Sequence, residues 1–451
     1  PKHSELQQAL IQCLAETGKI NQAKLAINEE LSRKKQLDQR HLFNLQFLGA
    51  GYSLIDPNIL CMLAKEWERK ITPEGVGPIW GDRIREPVGQ RRLRVGYLSS
   101  DFCNHPVGRF ILPVLEKHNQ QEIVVIGLNT GKIQDDIHGK IRSCCHEWAD
   151  LQFNTDLEAA RIISDLRLDI LVELGGYTAG SRIGILCHRP AQLQWSYLGY
   201  FAPTYLDCIN GWIGDKVLFD GLSKLDRSSH HLISIKGGYM GYQDRDLPLA
   251  DRSTRKGFTF GCFNHARKIS HEAAELFAEV VIESSNSSLL LKSISFTEED
   301  EIERVRGIFN HLGLDNSRLT LLPWIEGREN HLRCYNEIDV ALDPFPYGGA
   351  TTTCEALAMG VPVISLAGSG MVSRLSASVL KYSGCKQWIA YSKQDYKKIC
   401  SNLAVAGARS KQDRLILRKQ ILSSDLCDCQ RLATKLEKHY REAVDAICIK
   451  A

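Results

Sequence analysis

The chain has 451 residues, too many for one hydrophobic core, so we expect two or three domains. Its hydrophobic fraction of 43% and charged fraction of 24% are those of an ordinary globular protein. The net charge of +3 arises from 56 basic and 53 acidic residues without a long basic block, so neither nucleic acid nor an anionic membrane is an expected partner.

Fifteen cysteines are scattered along the chain, and no Cys-x-x-Cys pair occurs. An odd number without metal-ligand spacing predicts reduced thiols rather than a disulfide framework or a zinc site. The sequence contains no signal segment and no stretch apolar enough to cross a bilayer, which favours a cytoplasmic protein. Because the first residue is Pro1 rather than Met, we expect a processed chain or a fragment.

The first 80 residues are predicted to be helical and to end in a linker. Apolar residues recur at helical spacing over 4–35 and again over 41–70. The segment 14–23 resembles the turn of a tetratricopeptide repeat, although one such unit can also be a simple helical cap. Pro and Gly are concentrated at 71–81, so we assign 1–80 to a helical, tetratricopeptide-like region and linker.

From residue 92 to 245 the pattern changes to short β-branched runs separated by helical ones. The predicted strands are 93–100, 123–128, 168–174 and 209–214, and 156–166 is a predicted helix. Strands that alternate with helices indicate a parallel, doubly wound sheet.

A polar passage at 236–256 interrupts this alternation, which resumes over 256–425 as a second α/β domain. Its predicted strands are 258–263, 288–292, 319–323, 340–342 and 363–366, and its predicted helices are 272–282, 298–311 and 331–336. The last 26 residues, 426–451, contain an amphipathic helix over 430–446. Two tandem doubly wound domains place their strand ends around a shared cleft in which a ligand binds.

The segment 339–362 carries the most informative pattern in the chain. An apolar strand leads into a loop that contains Gly349 and Ala350, and a helix then begins near Thr352 and ends at Gly360. Free N–H groups at a helix start form a site for an anion such as a diphosphate, and Glu355, one turn later, is placed to reach a ribose hydroxyl. The alternative is an ordinary strand–loop–helix unit that is capped by Thr.

Two further candidates directly follow predicted strands. Lys268 is expected to point a cation into the cleft, where it can neutralise the charge on a departing diphosphate; the alternative is a surface lysine. His105 is expected in a loop, where its imidazole can accept a proton or bind a hydroxyl; the alternative is a structural histidine. Residues 175–180, which include Tyr177 and Thr178, are expected to offer backbone donors on the acceptor or sugar side.

Five motifs in unchanged order resemble those of the O-linked N-acetylglucosamine transferase and SPINDLY family over about residues 92 to 445. They are Leu-Arg-Val-Gly-Tyr-Leu-Ser-Ser-Asp-Phe-x-Asn-His-Pro, Gly-Tyr-Thr-x-Gly with Arg-Pro-Ala-x-x-Gln, Phe-Asn-x-x-x-Lys-Ile, His-Leu-Arg, and Gly-Ala-Thr-Thr-Thr-Cys-Glu-Ala-Leu. The resemblance implies a GT-B fold of two Rossmann-like domains. It also implies a metal-independent, inverting enzyme that transfers a sugar from a nucleotide donor to Ser or Thr hydroxyls of proteins.

The resemblance also implies roles for individual residues. It assigns the diphosphate to Lys268, Thr351 and Thr352, and the ribose to Glu355. It places Arg328 and His331 at the nucleoside and makes His105 the active-site histidine, either as a base or as a binding group.

Two departures from the pattern bear on the identity of the donor. Ala350 stands where the N-acetylglucosamine enzymes commonly have a histidine, and His265 replaces a glutamine. The breadth of the family favours UDP-N-acetylglucosamine as the donor, whereas the Thr-Thr-Thr-Cys-Glu run is typical of the SPINDLY branch, in which some members use GDP-fucose. Two other possibilities are a catalytically silent scaffold that senses a nucleotide sugar and a GT-B enzyme that acts on a small molecule or a glycan.

Overall fold

The computed structural model describes residues 2–33, 37–72, 77–80, 89, 91–244, 246–251 and 257–448. The predicted linker at 71–81 and the polar passage at 236–256 lie partly outside these residues. The chain forms two compact units. One comprises Pro1–Lys34 and Asp244–Cys427, and the other comprises Lys35–Gln243 and Asp428–Ala451.

The amino-terminal region is helical, as predicted. Its four helices are α1 (Lys2–Glu16), α2 (Ile20–Ser32), α3 (Gln39–Gly51) and α4 (Pro57–Ile71). Helices α1 and α2 belong to the unit that contains the second α/β domain, and α3 and α4 belong to the unit that contains the first. Gly18, at the turn between α1 and α2, has a φ of 71°, a conformation that glycine adopts without strain.

The first α/β domain is built on a parallel seven-stranded sheet. Its strands are β1 (Leu93–Ser99), β2 (Ile123–Asn129), β3 (Glu147–Asp150), β4 (Ile170–Glu173), β5 (Leu193–Ser196), β6 (Gly211–Gly214) and β7 (His231–Ser234). The strand order is β3-β2-β1-β4-β5-β6-β7, the arrangement of a doubly wound sheet. The four predicted strands are confirmed, whereas β3, β5 and β7, of four residues each, were not predicted.

Six helices accompany this sheet along the chain. They are α5 (Pro106–Leu115), α6 (Asp136–Cys144), α7 (Asp156–Asp165), α8 (Gly184–Cys187), α9 (Lys216–Phe219) and α10 (Lys224–Ser229). The helix predicted at 156–166 is α7, which begins with a complete capping box formed by Thr155 and Glu158.

The second α/β domain contains a parallel sheet of six strands. They are β8 (Phe258–Cys262), β9 (Ser287–Lys292), β10 (Leu319–Leu322), β11 (Val340–Leu342), β12 (Val363–Leu366) and β13 (Ile389–Ala390), in the order β10-β9-β8-β11-β12-β13. All five predicted strands are confirmed. The two-residue edge strand β13 was not predicted because it is too short to produce a sequence pattern.

The helices of this domain are α11 (His271–Glu283), α12 (Glu299–His311), α13 (Arg328–Arg333), α14 (Thr351–Ala358), α15 (Leu375–Tyr382), α16 (Lys393–Ala406) and α17 (Lys411–Leu422). The helix predicted at 331–336 begins three residues earlier, at Arg328, and is followed by a 3-10 turn at Cys334–Glu337. Phe260, Phe277 and Leu289 are among the fully buried residues of the core beneath the sheet.

The last helix, α18 (Cys429–Cys448), packs on the first α/β domain. The hydroxyl of Tyr440 lies 3.0 Å from that of Tyr97, and Glu437 contacts His118 Nδ1 at 2.8 Å. Among the described residues, no helix is both long and apolar enough to traverse a bilayer.

Candidate functional site

The strand ends of the second α/β domain bring several polar residues together. Strands β9, β8 and β11 are neighbours in the sheet. Lys292 is the last residue of β9, Asn264 follows β8, and Asp343 follows β11. Because the carboxyl ends of parallel strands meet at one edge of a sheet, these three elements supply side chains to one site.

Lys268 lies in a 3-10 turn, Ala266–Lys268, shortly after β8. Its Nζ donates to the carbonyl oxygen of Gly348 at 3.1 Å and lies 4.0 Å from the centre of the Tyr347 ring. Burial lowers the pKa of Lys268 to about 8, although the nearby Asp343 carboxylate opposes this shift. The structure therefore places this cation against the loop that precedes α14.

Asp343, which the sequence analysis missed, holds that loop in place. The Gly349 amide donates to Oδ1 at 2.7 Å, and the Ser365 hydroxyl donates to Oδ2 at 2.8 Å. Burial raises the pKa of Asp343 to about 6, and these hydrogen bonds partly offset the effect of burial. Its signal in the sequence is an acidic residue that comes directly after a buried apolar strand.

Helix α14 begins at Thr351, one residue before the predicted start. The residue before it, Ala350, makes no side-chain capping bond, and Thr351 and Thr352 lie inside the first turn. A threonine therefore does not cap this helix, in contrast to the alternative of a Thr-capped unit. The Thr352 hydroxyl donates to Asn264 Oδ1 at 3.2 Å, so it is fixed against the end of β8. A helix start without a cap leaves backbone N–H groups available to an anion.

Gly349 fits its position because the space beside it is occupied. A Cβ atom at this residue would lie 2.5 Å from the Thr352 hydroxyl oxygen and 3.1 Å from both Asn264 Oδ1 and Asp343 Oδ1. A larger residue here would displace the Thr352 side chain. Glycine thus allows the loop to pass close to the threonine and the acid.

Glu355 lies one turn into α14, is buried, and contacts three donors. Arg328 donates to Oε1, His331 Nε2 lies 3.0 Å from Oε2, and the Tyr335 hydroxyl donates to Oε2 at 3.3 Å. Burial alone would raise the pKa of Glu355, but His331 and Arg328 outweigh that effect and lower it. The carboxylate is thus held ionised and in one orientation.

The structure brings the predicted residues Arg328, His331 and Glu355 together and adds partners that the sequence analysis missed. Arg328 also donates to Asp244 Oδ2 at 2.6 Å, and His331 Nδ1 lies 2.9 Å from Lys292 Nζ. These contacts join α13 to the start of α14 and the end of β9.

His265 precedes the 3-10 turn that carries Lys268. Its Nδ1 accepts from the Arg267 amide at 3.3 Å. Burial, with the nearby Arg267 and Lys268 cations, lowers the pKa of His265 to about 4. The ring is consequently neutral at physiological pH and can act as a hydrogen-bonding or stacking surface.

His105, in the first α/β domain, is the last residue of the loop that follows β1, as predicted, and is also the N-cap of α5. Its Nδ1 accepts from the Val107 amide at 3.4 Å and lies 3.6 Å from Asp101 Oδ2. A neutral ring that accepts at Nδ1 carries its proton on Nε2, where it can donate a hydrogen bond. Burial raises the pKa of the neighbouring Asp101. The sequence analysis identified this histidine but neither the helix nor the acid.

Tyr177 differs from its expected position on the acceptor or sugar side. Its side chain is 0% exposed, and its hydroxyl donates to the Thr204 carbonyl at 3.0 Å. The ring packs edge-on against Phe43, Trp67 and Tyr200. Tyr177 therefore belongs to an aromatic core cluster, and its side chain is not exposed to an acceptor or a sugar.

The backbone donors expected at 175–180 are also partly used within the protein. Glu173, at the end of β4, accepts from the amides of Gly175 and Gly176 at 2.6 and 2.7 Å. Burial raises the pKa of Glu173 to about 7 despite these bonds. The half-buried Thr178 donates to the Gly175 carbonyl at 2.7 Å. This segment is a tight, self-bonded turn.

Two parallel doubly wound sheets, one with a lysine and an uncapped helix start at its strand ends, are the arrangement of the GT-B fold. Residues 82–234 and 252–436 match glycosyl transferase family 41, and the chain belongs to that family. These findings confirm the fold and the family that the motifs predicted.

Similar proteins include relatives named probable UDP-N-acetylglucosamine--peptide N-acetylglucosaminyltransferase SPINDLY. The protein from Oryza sativa subsp. japonica is 28% identical over 419 residues, which cover 91% of this chain and 44% of the relative. The protein from Eustoma exaltatum subsp. russellianum is 30% identical over 375 residues, with coverage of 81% and 40%. The chain thus spans less than half the length of these relatives.

Among solved structures, a mutant O-GlcNAc transferase from Thermobaculum terrenum superimposes with a TM-score of 0.87 at 26% identity. The match covers 99% of this chain and 85% of that chain. A glycosyltransferase from Rickettsia africae has a TM-score of 0.52 at 11% identity and shares the fold alone.

Proposed function

We propose that this protein transfers a sugar from a nucleotide-sugar donor to Ser or Thr hydroxyls of acceptor proteins, with inversion at the sugar. The observation that carries the proposal is the contact of Lys268 Nζ with the Gly348 carbonyl, which places a cation beside the uncapped start of α14. We further propose UDP-N-acetylglucosamine as the donor, supported by the names of the relatives and of the similar solved structure. The scattered cysteines fit a reducing, cytoplasmic location.

In the proposed reaction, an acceptor hydroxyl oxygen attacks the anomeric carbon while the bond from that carbon to the diphosphate breaks. Negative charge grows on the departing diphosphate as the bond lengthens. The Lys268 ammonium and the first N–H groups of α14 stabilise that charge. Since these groups are fixed before the reaction, little reorganisation is needed.

We propose that this positive charge makes a divalent metal unnecessary. Within the described residues, the group of three His, Cys or acidic side chains that is compact enough to hold an ion is Glu68, Cys187 and Cys208. That group lies in the other unit and includes no residue of the proposed donor site.

The nucleoside is proposed to lie against Glu355. A carboxylate offers about four lone-pair directions, and Arg328, His331 and Tyr335 occupy three of them. The remaining direction can accept a ribose hydroxyl. The neutral ring of His265 is proposed to contact the base or the phosphates from the adjoining strand end. We assign His105 an active-site role on the family resemblance, and its Nε2–H supports hydrogen-bond donation.

The test combines binding with turnover. Calorimetric titration with UDP and GDP measures which nucleotide binds more tightly, and incubation with UDP-N-acetylglucosamine and a Ser/Thr-rich protein extract measures transfer by mass spectrometry. Transfer of N-acetylglucosamine to Ser or Thr supports the proposal. Tighter GDP binding, together with transfer of fucose from GDP-fucose, would show that the donor is GDP-fucose and not UDP-N-acetylglucosamine. Nucleotide binding without transfer from either donor would favour a catalytically silent scaffold that senses the nucleotide. Transfer only to a glycan or a small molecule would show that the acceptor is not a protein.

A further inference from the structure

A buried lysine is linked through a histidine to the acid that is proposed to bind the ribose. Lys292 is the last residue of β9 and is 5% exposed. Its Nζ lies 2.9 Å from His331 Nδ1, and His331 Nε2 lies 3.0 Å from Glu355 Oε2. The three side chains therefore form one hydrogen-bonded chain that ends on the carboxylate of α14.

The chemistry of these groups determines where the hydrogens lie. An ammonium group has three donors and no acceptor, so His331 Nδ1 must accept from Lys292. The proton of the neutral ring then lies on Nε2, where it faces a carboxylate oxygen. The opposite tautomer would set an N–H against the ammonium and a lone pair against the carboxylate. Both contacts would be repulsive.

We propose that Lys292 is a positioning residue that fixes the Nε2–H tautomer of His331 and thereby orients Glu355 to receive a ribose hydroxyl. This inference rests on the proposed function for its link to nucleotide binding. It assigns no direct contact between Lys292 and the ligand. Burial lowers the pKa of Lys292, and the nearby Glu355 charge opposes that shift.

The first test reads the tautomer directly and needs no ligand. Histidine-selective ¹⁵N NMR distinguishes Nδ1–H from Nε2–H, and His331→Gln assigns the signal. We expect the Nε2–H form in the wild type and, in Lys292→Met, a shift toward Nδ1–H or a mixture. Lys292→Arg keeps a cationic donor and should restore Nε2–H. An unchanged spectrum in Lys292→Met, with thermal melting showing a folded protein, would overturn the proposal.

The second test asks whether the effect reaches the ribose. Calorimetry compares the binding of UDP with that of 2′,3′-dideoxy-UDP. If GDP binds more tightly than UDP, GDP and 2′,3′-dideoxy-GDP are compared instead. Lys292→Met should weaken UDP binding about 5- to 10-fold, the scale of one misplaced hydrogen bond, and should leave the dideoxy nucleotide nearly unaffected. The exposed Lys381 in α15 provides a matched control, because Lys381→Met removes the same charge elsewhere in this unit. An equal loss for both nucleotides would mean that Lys292 acts on the phosphates, which overturns the proposal.

A double-mutant cycle isolates the path through the histidine. His331→Gln supplies an amide N–H toward Glu355 that does not depend on Lys292, so the two substitutions should be strongly non-additive. Full additivity would contradict the proposed path. If the wild type binds no nucleotide at all, the proposed function fails, while the NMR result still decides whether Lys292 sets the tautomer.

Discussion

The charge on Lys268 should control both the rate and the pH dependence of the reaction. Its pKa is lowered from 10.5 to about 8 by burial, so the side chain of the free enzyme titrates within an accessible range. In the proposed reaction the charged form stabilises the leaving diphosphate, and this form is lost as pH rises through about 8. One pH unit above that value, about one molecule in ten remains charged, so kcat/KM should fall roughly tenfold. Lys268→Ala should lower kcat about a hundredfold or more, the typical cost of removing one donor to a developing charge.

The assay is a profile of kcat/KM for the nucleotide sugar between about pH 7 and about pH 10. Lys268→Arg is the informative control, because a guanidinium stays charged throughout this range. Its profile should lose the basic limb even if its absolute rate is lower. Thermal melting checks that each variant is folded. An unchanged kcat in folded Lys268→Ala would refute the role in the transition state, and a basic limb that persists in Lys268→Arg would assign this pKa to another group.

Three other predictions concern the same unit. In calorimetry, UDP should bind more tightly than GDP. His265→Ala should weaken UDP binding by about 1–2 kcal/mol, the scale of one hydrogen bond or stacking contact. Tighter GDP binding, with no effect of His265→Ala, would point to a fucosyltransferase. Turnover should persist in EDTA, because Lys268 and the start of α14 supply the positive charge; loss of turnover that Mg²⁺ or Mn²⁺ restores would contradict metal independence. Gly349→Ala should weaken nucleotide binding about tenfold, since the alanine Cβ would lie 2.5 Å from the Thr352 hydroxyl oxygen. The control is Gly307→Ala in α12, which should leave binding unchanged because a Cβ there meets nothing within 4 Å.

The strands that could be predicted are those whose burial is evident from their sequence alone. Strand β2, Ile-Val-Val-Ile-Gly-Leu-Asn, is buried along its whole length, so it appears as a nearly continuous apolar run. Strand β3, Glu-Trp-Ala-Asp, lies at a sheet edge and is only partly buried. Its polar ends remove the apolar run, and only its pairing with β2 makes it a strand. Edge strands of this kind are determined by tertiary contacts.

The geometry of the proposed donor site could be predicted where it lies within one local motif, and could not be predicted where separate elements meet. Thr351, Thr352 and Glu355 lie within a single strand–loop–helix unit, and the chemistry of a helix start follows from sequence order. Lys292 contacts His331 across 39 positions in the chain, and no local pattern encodes that pairing. Tyr177 was expected on the acceptor or sugar side, whereas Phe43 and Trp67, which are distant in the sequence, pack against its buried ring.

The neighbours of Lys268 explain how a half-buried cation can remain available to a ligand. A lysine paired with a buried carboxylate would have to break that ion pair before it could bind a diphosphate, and breaking such pairs is costly. Lys268 instead contacts a carbonyl oxygen and the face of an aromatic ring, both of which are uncharged. Asp343, whose charge acts on Lys268, accepts from the Gly349 amide and the Ser365 hydroxyl. Burial lowers the pKa of Lys268, and the negative charge of a bound diphosphate would oppose that shift. The burial that destabilises the Lys268 ammonium in the free protein therefore favours its interaction with a diphosphate, the leaving group that Lys268 is proposed to stabilise.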